Sequence, residues 1–168
     1  ESVDSQEVDI TGKNDIKLSL KAKIKLKDKI FWEDGSPITA YDVVATINAL
    51  KADESITDLN LDYNIIDSLE VINDKEFNLK LKYYSDNWKD LFGAIFPERL
   101  ILESKIGDIF SDNIFGAGPY RLKEWIKGEN IILELNPFYE GEKPNINAIE
   151  IIFNSDINFL VNLLNEGN

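Results

Sequence analysis

One alternation constrains this chain more than any other feature. Ile16, Leu18, Leu20, Ala22, Ile24 and Leu26 interleave with Lys17, Ser19, Lys21, Lys23 and Lys25. Successive side chains of a strand point to opposite faces, so the segment is committed to a β-strand, apolar on one face and cationic on the other. The lysines belong to a wider run, seven between Lys13 and Lys29, in a chain whose formal charge is −13. Lysine in such places ordinarily marks a solvated sheet face or a guarded sheet edge. A basic binding strip is the alternative reading.

The next stretch, Ile30 to Leu50, holds a turn, a helix start and an amphipathic helix. Asp34, Gly35, Ser36 and Pro37 are turn formers for different reasons: positive φ for Gly, a preset φ for Pro, local hydrogen bonds for Asp and Ser. Thr39 stands three residues before Asp42, the spacing of a capping box, in which hydroxyl and carboxylate each satisfy an orphan amide of the first turn. Val43, Val44, Ile47 and Leu50 then form an apolar stripe of helical period.

Further on, Tyr63–Ile72 and Phe77–Tyr84 flank a polar turn at 73–76 and read as a hairpin. Ser85 or Asp86 is placed to cap a short helix carrying Trp88, Leu91, Phe92 and Ile95, which Pro97 ends. Glu98 to Phe110 reads as a second helical stretch. Gly116-Ala117-Gly118-Pro119 is a tight bend; no GK[ST] follows and a strand comes next, so it is no phosphate loop. Strands are expected over Tyr120–Ile126, Asn130–Leu135 and Ala148–Phe153. Ser155 or Asp156 then caps a last helix with its stripe at Ile157, Leu160, Val161 and Leu164, and Gly167 suits the C′ position. Residues 1–15 are polar and aperiodic and are expected to be a flexible segment. A soft boundary near Asn113–Gly116 separates a mixed first part from a β-rich second part. The expected class is α+β (mixed α/β), mostly antiparallel strands with a few helices.

Composition narrows the chemistry. The chain of 168 residues has no Cys, no His and no Met, and is 43% hydrophobic. Thiol nucleophiles, imidazole acid–base catalysis and thiolate or imidazole metal sites are therefore outside its means. A surface this acidic repels phosphate backbones and anionic lipid, so nucleic acid and membrane surfaces are not expected partners. No apolar run reaches the length of a membrane-spanning helix. No signal-peptide pattern opens the sequence, and the missing initial Met fits a processed or excised piece.

Three segments, in order, resemble one family. Phe31–Val44, FWEDGSPITAYDVV, looks like the F/W-x-DG-x-P-x-TA-x-DVV signature of the family 5 extracellular solute-binding proteins, which serve oligopeptide, dipeptide and nickel ABC importers. Gly116–Trp125, GAGPYRLKEW, resembles that family's GTGPY-x-x-x-x-W segment, with Ala117 for the usual Thr. Glu129–Phe153 is similar to the stretch that follows it, with Glu140 and Glu142 where the family usually shows Trp and Gly. The resemblance implies part of a periplasmic-binding-protein-like class II lobe: 16–112 as the extra subdomain of the first lobe and 113–168 as the start of its core. It also implies a second lobe outside this chain, and clamshell closure on a peptide or small polar solute. Delivery to ABC permease subunits would follow. Cofactors, metals and covalent chemistry are not needed, and the fragment is expected to be monomeric. The implied setting is periplasmic or extracellular, as a membrane-anchored lipoprotein on the cell surface.

Aromatic side chains near turns offer area and a polar handle, which makes Tyr63, Tyr120 and Trp32 the candidate ligand contacts, against the alternative that each is core. Arg121 could hold a substrate carboxylate bidentately, against the alternative of an ion pair within the lobe. Two rival functions stand beside the importer reading. One is a surface interaction module; the other is a hydrolase using paired carboxylates among Glu33, Asp34 and Asp42. Turn and cap positions already account for two of those three.

Overall fold

The computed structural model describes residues 3–11, 19–53, 61–112 and 115–166. Strands β1 (Val3–Thr11), β2 (Ser19–Leu26), β3 (Ile66–Asn73) and β4 (Glu76–Leu81) form an antiparallel sheet in the order β1-β2-β4-β3. Leu20, Ala22, Ile24 and Leu26 are buried while Lys21, Lys23 and Lys25 are exposed, as the alternation requires. Residues 16–18 of that alternation lie outside the described residues.

The lysine strand is central, so its cations mark a solvated face and not an edge. Val3–Thr11, within the segment expected to be flexible, is β1, paired along β2. In register, Asp4 stands opposite Lys25 and Asp9 opposite Lys21.

Helix α1 (Ala40–Ala52) covers the apolar face of this sheet. Val43, Ile47 and Leu50 join Ile66, Phe77, Leu79 and Leu81 in one buried cluster. Thr46, fully buried, donates to the Phe96 carbonyl at 3.1 Å and accepts from the Phe96 amide at 2.9 Å, tying the helix to the segment that follows the sheet. Tyr63–Ile65 is a 3₁₀ turn and not the start of a strand, because Asp62 accepts the Asn64 amide at 3.0 Å and offers the backbone a local alternative. Trp88–Phe92 is likewise 3₁₀, without a side-chain cap. The helical stretch after Pro97 is two helices, α2 (Glu98–Glu103) and α3 (Ile106–Asp112), separated where Ser104 turns extended.

A second antiparallel sheet follows, β5 (Tyr120–Ile126), β6 (Asn130–Leu135) and β7 (Ala148–Ile152), with β6 in the middle. Gly128, at φ 86°, makes the turn between β5 and β6. This sheet is half-covered: every residue of β6 is partly buried, and Ile151, Ile152 and Phe153 are exposed. Helix α4 (Ile157–Glu166) starts where expected, with Asp156 accepting the Asn158 amide at 2.9 Å. Ile157, Val161 and Leu164 of its stripe are exposed. Gly167 lies outside the described residues.

Candidate functional site

The turn at 34–37 closes a small hairpin. Ile38 donates its amide to the Ile30 carbonyl at 3.0 Å, Trp32 donates to Ser36 at 2.8 Å, and Phe31 bridges Pro37. Asp34 accepts from the Ser36 amide at 2.9 Å and its hydroxyl at 2.6 Å. Gly35 sits at φ 84°, a conformation that side chains rarely adopt.

Behind the hairpin stands Asp42, a buried carboxylate with several donors. Its Oδ2 accepts from the Thr39 amide at 2.7 Å, the Thr39 hydroxyl at 3.0 Å and the Trp32 indole at 3.4 Å. Its Oδ1 accepts from the Glu98 amide at 2.7 Å. The capping box is formed as the spacing predicts, and the same carboxylate also locks Trp32 and the first turn of α2. Sequence spacing foretold the cap. The other two roles depend on residues 10 and 56 positions away.

In front of the hairpin lies the second sheet's approach segment. Glu33 donates its amide to the Gly116 carbonyl at 2.9 Å and accepts the Gly116 amide on Oε2 at 3.1 Å. The Trp32 ring meets Phe115 at 5.7 Å, and the Arg99 guanidinium lies 5.0 Å over the same phenyl while pairing with Asp34 at 2.7 Å. Phe138 lies against Gly35, where a Cβ would come within 2.7 Å of the ring. Around this joint opens a cleft of about 510 Å³. Its walls carry Phe31, Trp32, Phe77, Phe92, Phe138 and Tyr139, the main chain of Gly116–Gly118, and the charged residues Lys27, Lys29 and Glu140.

Electrostatics distinguish the carboxylates here. Burial raises the Glu33 carboxyl above its usual value, against the opposing pull of the Gly116 amide and the Arg121 charge. Burial also works against charge on Asp34, but the Ser36 donors and the Arg99 guanidinium outweigh it and hold that group low. Glu33, Asp34 and Asp42 each thus have a partner set drawn from the fold itself. Among the described residues, no three acidic side chains are grouped to hold a metal ion.

Residues 19–168 match the model of the bacterial extracellular solute-binding proteins, family 5 Middle. The chain belongs to this family. The oligopeptide-binding protein AppA of Bacillus subtilis is 29% identical over 153 residues, covering 86% of this chain. The structure of that protein in complex with a nonapeptide aligns with 97% of this chain at a TM-score of 0.74 and 26% identity. The structure of NikZ from Campylobacter jejuni with Ni(L-His) aligns at 0.77 and 25% identity, again over 97% of this chain. The family 5 chain described here spans about 28% of the curated AppA sequence and 32% of the NikZ chain. The α+β arrangement of antiparallel sheets with few helices is therefore part of the periplasmic-binding-protein-like fold.

Within this family 5 chain the three candidate aromatics do not come together. Trp32 is buried and lines the cleft. Tyr63 sits in the core of the first sheet, its hydroxyl buried without a hydrogen-bond partner among the described residues and its phenol raised by burial. Tyr120 donates its hydroxyl to the Ile146 carbonyl at 2.9 Å, across the second sheet. Arg121 forms an ion pair across β5 and β6, with Nε at 2.9 Å and Nη2 at 2.7 Å from the same oxygen of Glu134. Sequence reasoning missed Phe138 and Tyr139, whose signal was their place in the Glu129–Phe153 stretch that resembles the family, while Lys27 and Lys29 belong to the lysine run read above as a solvated face or a basic strip.

Proposed function

We propose that this chain supplies part of the first lobe of the solute-binding component of an ABC importer. Residues 16–112 form the extra subdomain of that lobe, and residues from 113 begin its core. The parent protein captures an oligopeptide or a similar small polar solute between two lobes and passes it to permease subunits. It performs no catalytic step. Its setting is periplasmic or extracellular, held as a lipoprotein at the cell surface, and this part on its own is monomeric. The exposed apolar side chains of β7 and α4 are covered in the parent by the rest of the same lobe, which the threefold greater length of the relatives supports.

The observation that carries this reading is the cleft beside the 30–38 hairpin. Its aromatic walls suit apolar peptide side chains. Its lysines and glutamate offer both signs of charge at the rim, and the Gly116–Gly118 main chain leaves room for another backbone to approach. Trp32 is the ligand-facing member of the three candidate aromatics; Tyr63 and Tyr120 serve the framework.

Titration calorimetry against a peptide library tests the proposal. Binding is expected from a two-lobed protein that contains this sequence, and weak or no binding from the 168 residues alone. Micromolar binding by the isolated chain would overturn the two-lobe reading.

A further inference from the structure

Glu33 makes two hydrogen bonds at the joint between the hairpin and the approach to the second sheet, yet it is not a wall of the cleft. Trp32 before it lines the cleft, and so does Gly116, its partner. Glu33 engages both polar main-chain groups of Gly116, one through its own amide and one through its carboxylate. A glycine has no side chain by which to be held, so a two-point grip on its backbone is what fixes its orientation.

We propose that Glu33 is a positioning residue that sets the spacing of the two cleft walls by holding Gly116 against the hairpin. The neighbouring contacts leave the joint little slack. Phe138 packs where a Gly35 Cβ would stand, Trp32 meets Phe115, and Arg99 covers the far face of the joint while anchored to Asp34. The Arg121 charge favours the ionised, hydrogen-bond-accepting form of Glu33 against the burial that opposes it. Ligand affinity would thereby depend on a side chain that touches no ligand. That consequence rests on the function proposed above; the spacing itself does not.

The chain lacks cysteine, so a Lys29→Cys, Glu140→Cys pair places two spin labels across the cleft with no background. Pulsed electron resonance then reads the wall-to-wall distance in the full chain without any ligand, so failure of the transport reading leaves this test intact. A narrow distribution is expected in the parent and in Glu33→Gln, which keeps the acceptor oxygen. Glu33→Ala is expected to broaden it about twofold or more, as a second arrangement of the walls becomes populated. Hydrogen exchange at the Gly116 amide should quicken about tenfold in Glu33→Ala, while β2 and α1 amides keep their protection. An unchanged distribution in Glu33→Ala, or equal broadening in Glu33→Gln, would overturn the proposal. Should Glu33→Ala fold poorly, Gly35→Ala leaves both Glu33 bonds in place and displaces Phe138; a narrow, unshifted distance there refutes a joint without slack.

Discussion

The two sheets of this molecule are built from similar strands and end up in different states. In the first, α1 lies over the apolar face, and Leu20, Ile24, Phe77, Leu79 and Leu81 are almost wholly removed from water. In the second, β6 carries Ile131, Ile132, Leu133 and Leu135, yet each stays partly exposed, and the α4 stripe that follows is largely in solvent. Hydrophobic period decides which element forms. Whether that element stabilises the chain depends on finding a partner surface, since burial and not pattern supplies the free energy.

Truncation in the two sheets gives the largest test of that contrast. Phe77→Ala is expected to cost about 3–5 kcal/mol, and Leu133→Ala about 1–2 kcal/mol, in urea unfolding. Equal losses would break the comparison. Asp42→Ala should follow at about 3 kcal/mol, because it strands buried donors at Trp32, Thr39 and Glu98, with Asp42→Asn milder. The same deletion in the second sheet, Glu134→Ala, removes a half-exposed pair and should stay under about 1 kcal/mol in the same assay. Thr39→Ala should cost about 1 kcal/mol as a lost cap; Asp156→Ala, capping a helix without cover, should cost less in thermal unfolding.

The smallest effect is in pH dependence, and its sign separates neighbours. The Asp34 carboxyl is held low, so its contribution is present above the unfolded carboxylate value near 3.8 and is lost as pH falls through its folded pKa. The Glu33 carboxyl is raised, so its contribution is complete below about 4.5 and is lost as pH rises through its folded pKa. Unfolding midpoints of Asp34→Asn and Glu33→Gln across mildly acidic pH should therefore diverge from the parent in opposite directions. Parallel profiles would mean that the burial at Glu33 does not outweigh its partners.

Local features were readable before any coordinates. The alternation through Leu26 and the Thr39–Asp42 box are decided by neighbours within a few residues, and both stand in the structure as their spacing requires. What was hidden is non-local. β1 forms by pairing along β2, a partner remote from its own local polarity, and for Tyr63 the sequence left core and ligand contact as alternatives until the fold placed it in the core. The family resemblance located the hairpin and the glycine bend as separate landmarks. Only the fold brings Glu33 to Gly116 and so makes one cleft of two motifs.

The grip of Glu33 on Gly116 also imposes an order of events during synthesis. The two residues are 83 positions apart, whereas every strand of the first sheet is complete by Leu81. At ribosomal rates of about 5–20 residues per second, the hairpin waits on the order of ten seconds for its partner. Phe138 arrives later still. Between the completion of Leu81 and the arrival of Phe115, the nascent molecule has a finished first sheet with Trp32 uncovered on its Phe115 side, an apolar margin that a chaperone or another unfinished chain could occupy first.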